Sequence, residues 1–468
     1  MKKIRIDPLT RAHSPTAVEV VVENKKVINA RCIGTFFRGF EIILRGRDPR
    51  DAPYLTERIC GICSSSHGTA ACFALEDAAG ARPPRNGNLL RNLILGSDIL
   101  QNQIRHFYLF ALPDFVRGPN LGPFAPSYTK DYRLPKKKND AMIEHYFRAI
   151  EISRQASELI ALLGGKSPFP HGLLAGGSSV PPTADIIMTF RFKLKSINDF
   201  IKSVFIPDAF TLAETYRDYY QIGVRKPNMM SFGLFPRNEH DNERHFPAGA
   251  VINGQVQRLN TAVIKEDVTN SWYVGNQPVH PTGGRTEPDR EKRGAYSWSK
   301  APRYGGRPME GGPLARLWLS GNYRRGVSTM DRNIARVVET EKIGQLMEGW
   351  LAELQPGEPV FTPFDMPKEA DGVGLTDAPR GQLGHWLRIE KGRIANYEII
   401  TPTAWNFSPR DESGHLGPVE EALIGTPVED ENEPIEVGRV VRAFDLCSSC
   451  VAHVIIPGRP VKQLVIVP

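Results

Sequence analysis

Residues 17–34, "AVEVVVENKKVINARCIG", alternate apolar and polar positions on both sides of an "ENKK" turn. A period of two predicts a hairpin with one buried face. From about residue 64 the period changes. In "NLLRNLILGSDILQNQIRHFYLFAL", Leu89, Leu93, Leu100, Ile104 and Phe107 recur at helical spacing, which predicts a helix long enough to cross a domain. Residues 140–163 and 183–222 repeat that pattern, and Pro207 should kink or end the second helix because it lacks an N–H. A further helix is predicted from the capping residue Ser328 to Leu354, just before "QPG". Four long helices point to a bundle.

Between about 235 and 312 the chain is rich in Gly, Pro, Arg and Asn with little periodicity, which predicts an extended wrapping segment. Alternation returns at 386–400 on both sides of a Lys-Gly turn, a second hairpin. The expected fold class is therefore α+β and mostly helical, a long-helix bundle core with small peripheral sheets. The organisation expected is one interwoven catalytic domain over 1–468. It comprises an N-terminal hairpin region to about 50, a helical core at about 60–355 and a C-terminal β region with a cysteine motif at 380–453.

Composition fits that picture. A chain of 468 residues with 41% hydrophobic and 24% charged residues has ample material for a core. It has no apolar run of the roughly 20 residues needed to span a bilayer. The N-terminus "MKKIRIDPLT" passes straight into polar sequence without the apolar stretch of a secretory signal, so any export is expected to depend on a partner's signal. The net charge of +7 comes from dispersed Lys and Arg mixed with acids, not from a nucleic-acid-binding module.

Six cysteines are too few for a disulfide scaffold. Cys32 and Cys72 stand alone and read as small buried apolar residues. Cys60, Cys63, Cys447 and Cys450 instead form two C-x-x-C pairs separated by nearly the whole chain. Four thiolates brought together suit a zinc clip, an iron–sulfur cluster or a redox dithiol pair. Each pair also carries a histidine at a similar offset, His67 in "CGICSSSH" and His453 in "CSSCVAH". Supporting histidines, arginines and carboxylates are features of catalytic metal sites more than of zinc clips.

"RICGICSSSHG" and "DLCSSCVAH" together resemble the two signature segments of nickel–iron hydrogenase large subunits. "FRGFEIILRGRDPRD", "YSWSKAPRYGGRPMEGGPLAR", "GVGLTDAPRGQLGHW", "PTAWNFSPR" and "PVEEALIGTP" resemble that family's segments in the same order. The resemblance implies a Ni-Fe(CN)2CO centre on four cysteines, with Cys60 and Cys447 as terminal nickel ligands and Cys63 and Cys450 bridging to iron. It also implies Arg380, in "DAPRG", poised above the metals as a candidate base, with Cys447 as an alternative proton acceptor and Asp114 and Asp445 orienting the guanidinium. Pro402 and Thr403 would contact the cyanides, His67 would support the cage, and Glu41 and His453 would hold a buried Mg2+ or similar cation.

The implied reaction is reversible heterolytic cleavage of H2. The implied partners are an iron–sulfur small subunit carrying all the clusters, a cytochrome b or other membrane acceptor, a maturation endopeptidase and nickel-insertion chaperones. The motifs look most like the respiratory uptake branch, which implies an exported, membrane-associated complex. A hydrogen sensor is the second reading. A metal-free quinone-reductase-like relative and a zinc-stapled structural protein are weaker, the former because all four cysteines are present.

Three departures stand out. Where family members usually read Thr-Arg-Ile-Glu-Gly-His, this chain reads "TRAHSPT", with His13 at the position of the proton-relaying glutamate. Leu446 stands where proline is usual, and a tail at 454–468 follows His453, of the kind the family removes after metal insertion.

Overall fold

Capping side chains set where the long helices begin. Ser328 and Asp331 cap each other's backbone, Asp331 N donating to Ser328 Oγ at 3.1 Å and Ser328 N to Asp331 Oδ2 at 2.9 Å, and the helix Thr329–Glu353 follows. Thr183 does the same for Ala184–Phe200, its hydroxyl accepting from Ile186 N. The computed structural model describes residues 1–447 apart from 14, 126 and 238–242. Arg85–Arg105 and Lys136–Gly164 complete the bundle, each of the four helices packing on two others. Leu93, Leu100, Ile104, Ile152, Leu159, Leu194, Ile197, Ile334 and Ile343 fill the space between them. Each such side chain contributes roughly 1.5–3 kcal/mol on burial. Among the described residues no helix is long and apolar enough to cross a membrane.

Pro207 neither ends nor interrupts the helical path. The chain runs from Ala184–Phe200 through a π turn, Ile201–Phe205, into Ile206–Thr215, where Pro207 occupies the first turn. A proline in a first turn lacks only a donor that would have had no ordinary partner, and the wider turn before it absorbs the change of phase. A second π segment, His106–Ala111, prolongs Arg85–Arg105.

Both expected hairpins are present, and each gains a strand. Thr16–Glu23 and Lys26–Gly34 join through Asn24 and Lys25, both left-handed (φ 49° and 57°), and Lys2–Ile6 pairs outside them. Gly381–Glu390 and Arg393–Ile400 join through Lys391–Gly392, and Ala370–Ala378 pairs antiparallel on the far side. That added strand lies flat on the helix Ser64–Ala79. A Cβ at Gly374 would sit 1.9 Å from the Ala70 carbonyl oxygen, and one at Gly372 2.1 Å from that of Ala74, so only glycine permits the approach. The 235–312 stretch carries short antiparallel strand pairs such as Ile264–Asp267 with Ala301–Tyr304.

Candidate metal centre

The two ends of the chain meet at a cluster of thiols. Cys60 follows the short helix Ala52–Glu57, Cys63 caps the N-terminus of Ser64–Ala79, and Cys447 follows Ile435–Arg442. All three are buried together, with Cys60 Sγ 3.4 Å from Cys447 Sγ. That separation is far beyond a disulfide bond, and none of the three is disulfide-bonded among the described residues. It matches two sulfurs sharing one metal ion. Cys450 and His453 lie outside the described residues, as does the 454–468 tail. The three described thiols do not by themselves close a metal-binding set.

Neighbouring groups hold the sulfurs in place. Ile62 N donates to Cys60 Sγ at 3.4 Å, and Cys447 Sγ reaches the His13 carbonyl oxygen at 3.6 Å. Cys447 N donates to Thr403 Oγ1 at 3.2 Å. Thr403 and Pro402 sit in the buried first turn of Pro402–Asn406, which Thr401 caps through Ala404 N.

Arg380 is buried in the tight connection between Ala370–Ala378 and Gly381–Glu390. Its Nη2 donates to Asn102 Oδ1 at 2.7 Å and to Asp445 Oδ1 at 3.2 Å, while Asn102 Nδ2 donates to Asp445 Oδ2 at 2.9 Å. Arg380, Asn102 and Asp445 thus form a closed ring. Nε and Nη1 of Arg380 have no hydrogen-bond partner among the described residues. Burial disfavours the guanidinium charge, but Asp445 and then the thiolates of Cys447, Cys63 and Cys60 outweigh it, so the pKa rises and Arg380 stays charged. Asp445 is likewise desolvated, yet Arg380, His106 and His13 hold it well below the usual carboxylate range.

Asp114 does not orient Arg380. Its carboxylate takes Arg11 Nη2 at 2.5 Å and Arg442 Nη1 at 2.9 Å on each oxygen, tying the N-terminal segment to the helix Ile435–Arg442. Asn102 occupies the role assigned to Asp114, and nothing in its sequence context marks it except an amide in a helix interior, where the backbone gains little from it.

His13 is buried, with Nε2 3.3 Å from Asp445 Oδ1 and its ring edge-on to Phe110. Burial and Arg380 lower its pKa while Asp445 opposes them, and the net shift is downward. His67 is buried in the first turn of its helix, Nδ1 3.2 Å from His385 Nε2, and His385 Nδ1 is 2.9 Å from Tyr397 Oη. Burial lowers the His67 pKa to about 4, against the pull of Cys60, so the ring is neutral. Asp98, missed in the sequence because it sits in a Leu- and Ile-rich helix, is fully enclosed. Its pKa rises to about 8, through burial first and the Cys60 charge second, with Arg380 opposing.

A second charged cluster surrounds Glu41. Lys300 Nζ bridges Glu266 Oε2 at 2.9 Å and Glu398 Oε2 at 3.1 Å, and Arg45 Nη2 lies 3.5 Å from Glu398 Oε1. Burial first and Glu398 second push the Glu41 pKa up to about 7, with Lys300 opposing. Lys300 and Arg45 already pair with these carboxylates, and among the described residues no group of His, Cys, Asp or Glu forms a metal-binding set here.

The sequence matches the nickel-dependent hydrogenase family over residues 38–119, 111–326 and 319–453. It is 38% identical to the periplasmic [NiFeSe] hydrogenase large subunit of Desulfomicrobium baculatum, across 97% of this chain and 95% of that one. It is 32% identical to the quinone-reactive Ni/Fe-hydrogenase large chain of Wolinella succinogenes, across 97% and 96%. The structure superposes on the H2-activated [NiFeSe]-hydrogenase of Dm. baculatum with a TM-score of 0.94 at 38% identity, covering 97% of this chain and all of that one. Uptake hydrogenase large subunits match at 32% identity, so the [NiFeSe] relative is the more similar, although all four C-x-x-C positions here are cysteine. With these matches spanning nearly its whole length, the chain belongs to the nickel-dependent hydrogenases, as the large subunit of an oxidoreductase acting on H2.

Proposed function

We propose that the chain catalyses reversible heterolytic cleavage of H2 at a nickel–iron centre held by Cys60, Cys63, Cys447 and Cys450, passing electrons to an iron–sulfur small subunit. The observation that supports this most is Arg380, kept charged and fixed by Asn102 and Asp445, with two guanidinium nitrogens, Nε and Nη1, uncommitted among the described residues and three thiols clustered nearby. The bound centre supplies a Lewis acid and redox couple for a dihydrogen molecule that has no dipole of its own. The thiolates fit it because soft sulfur suits a redox-active nickel.

The chain's own groups divide the remaining work. Held as a cation, Arg380 polarises and orients, and a charged guanidinium is a poor base, so the Cys447 thiolate is the proton acceptor in this reading. His13, whose backbone carbonyl lies 3.6 Å from Cys447 Sγ and whose neutral imidazole rests on Asp445, takes the proton outward in this reading. Thr403 and Pro402 would contact the cyanides of a bound centre, the Thr403 hydroxyl keeping its hydrogen available for an anionic nitrogen while its oxygen accepts from Cys447 N. His67 backs the cage through His385 and Tyr397, and Glu41 with His453 holds a Mg2+-type ion. The names of the relatives, periplasmic and quinone-reactive, support export with the small subunit and delivery of electrons toward a membrane quinone, while a cytochrome b acceptor, chaperone-assisted nickel insertion and removal of the 454–468 tail by a maturation endopeptidase rest on the sequence resemblance alone.

Metal and infrared analysis of the processed complex tests the reading. Nickel and iron together, with cyanide and carbon monoxide bands, are expected, and zinc alone would defeat it. Arg380→Lys should keep the metals and slow H2/D+ exchange on the order of a hundredfold, because lysine lacks the Nε and Nη1 groups that Arg380 leaves uncommitted.

A further inference from the structure

Beneath Arg380 lies a second arginine that touches neither thiol nor centre. Arg316, in the helix Pro313–Leu319, is completely buried, as are Glu339 and Asp377. Its Nε and Nη2 fork onto Glu339 Oε1 and Oε2 at 2.6 and 2.8 Å, and its Nη1 reaches Asp377 Oδ2 at 3.0 Å. The two remaining N–H groups donate to the carbonyl oxygens of Ala378 and Pro379, each at 3.0 Å. All five donors of the guanidinium are therefore used.

Those carbonyls belong to the two residues immediately before Arg380. The carbonyl of Arg380 itself accepts from Asn406 Nδ2 at 3.1 Å, so three successive carbonyls of this connection are each held by a buried side chain. The following residue, Gly381, has φ 127° and lies so close to Gly311 and Gly312 that an added Cβ would come within 2.7 Å of their backbone. The other support of the Arg380 ring converges on the same cluster, because Gln103, next to Asn102, donates Nε2 to Glu339 Oε2 at 3.1 Å. Glu339 thus contacts both the arginine under the Arg380 backbone and the residue beside its side-chain partner.

We propose that Arg316 is a positioning residue for Arg380, its guanidinium clamping the Ala378 and Pro379 carbonyls so that the Arg380 side chain is aimed over the cysteines. A buried charge cluster is a weak device for stability, since well-packed apolar replacements are often neutral or better. A planar fork that satisfies two carboxylates and two backbone carbonyls at once is a strong device for fixing a backbone. The proposal rests on the role given to Arg380 above.

The test uses the complex with its small subunit and compares Arg316→Lys, Arg380→Lys and the double variant in H2/D+ exchange, nickel and iron content, infrared bands and thermal midpoint. Lysine cannot fork, so Arg316→Lys should lower exchange on the order of a hundredfold with metals and bands retained. In the Arg380→Lys background the same substitution should add no further loss. An equal additional loss in both backgrounds, or no loss in either, overturns the proposal. Should Arg316→Lys fail to assemble, Asp377→Asn replaces it; this variant loosens one anchor and leaves the fork to Glu339, and a several-fold loss confined to the Arg380-containing enzyme is expected. Equal loss with and without Arg380 overturns it. If Arg380→Lys alone exchanges at the parent rate, the reading of Arg380 fails first, and any loss from Arg316→Lys is then structural.

Discussion

In the proposed proton route, His13 is the first relay after Cys447. Its imidazole is desolvated and held between Arg380 and Asp445, so it is neutral and can accept. His13→Ala should slow proton–deuterium exchange by about 10–1,000-fold while electron transfer from preloaded reductant is spared, and unchanged exchange removes His13 from the route. Asp114 has a different task. Burial alone would raise its pKa, but Arg11, Arg442 and Arg439 together lower it, so its contribution to stability is present above the unfolded value near pH 3.9 and is lost as pH falls through the lower folded value. Asp114→Asn should therefore cost about 3–5 kcal/mol at neutral pH, and melting curves of variant and parent should converge in acid. The meeting of Cys60, Cys63 and Cys447 was legible from the two C-x-x-C pairs, although the spacing alone left zinc, iron–sulfur and redox readings open. Asn102 was not, because Asp114 was assigned to that role from the family resemblance, and an amide inside a helix carries no local mark of a partner 278 positions away.

At the level of elements, the fit of the Ala370–Ala378 strand to the Ser64–Ala79 helix controls how closely Cys63 and Arg380 approach, since the helix begins just after Cys63 and the strand ends two residues before Arg380. Gly374→Val should push the two apart and cost at least about 3 kcal/mol, read as a lower urea midpoint, because the obstructing atom is backbone and cannot rotate away. Ser328→Ala removes one half of a reciprocal cap and should cost about 1 kcal/mol with activity kept. The long helices and both hairpins could be read from periodicity, since each has one clear apolar face. The strand at 370–378 could not, because its glycines serve a helix that lies about 300 residues earlier, and no local pattern announces such a contact.

Across the whole molecule, the metal site joins the N-terminal region to the C-terminal one, so a bound centre acts as a cross-link as well as a catalyst. A ligand that binds only the folded chain raises stability by mass action. Calorimetry should show the loaded complex melting higher than the metal-free one, with the increment absent in Cys447→Ser. The same separation has a temporal side. A ribosome adding about 5–20 residues each second needs from about 20 to 80 seconds to travel the 387 positions from Cys60 to Cys447. Throughout that interval the first thiol pair exists without the second, in a compartment where zinc competes for any C-x-x-C. The order of synthesis therefore makes a four-sulfur cage available only after nearly the whole chain has emerged.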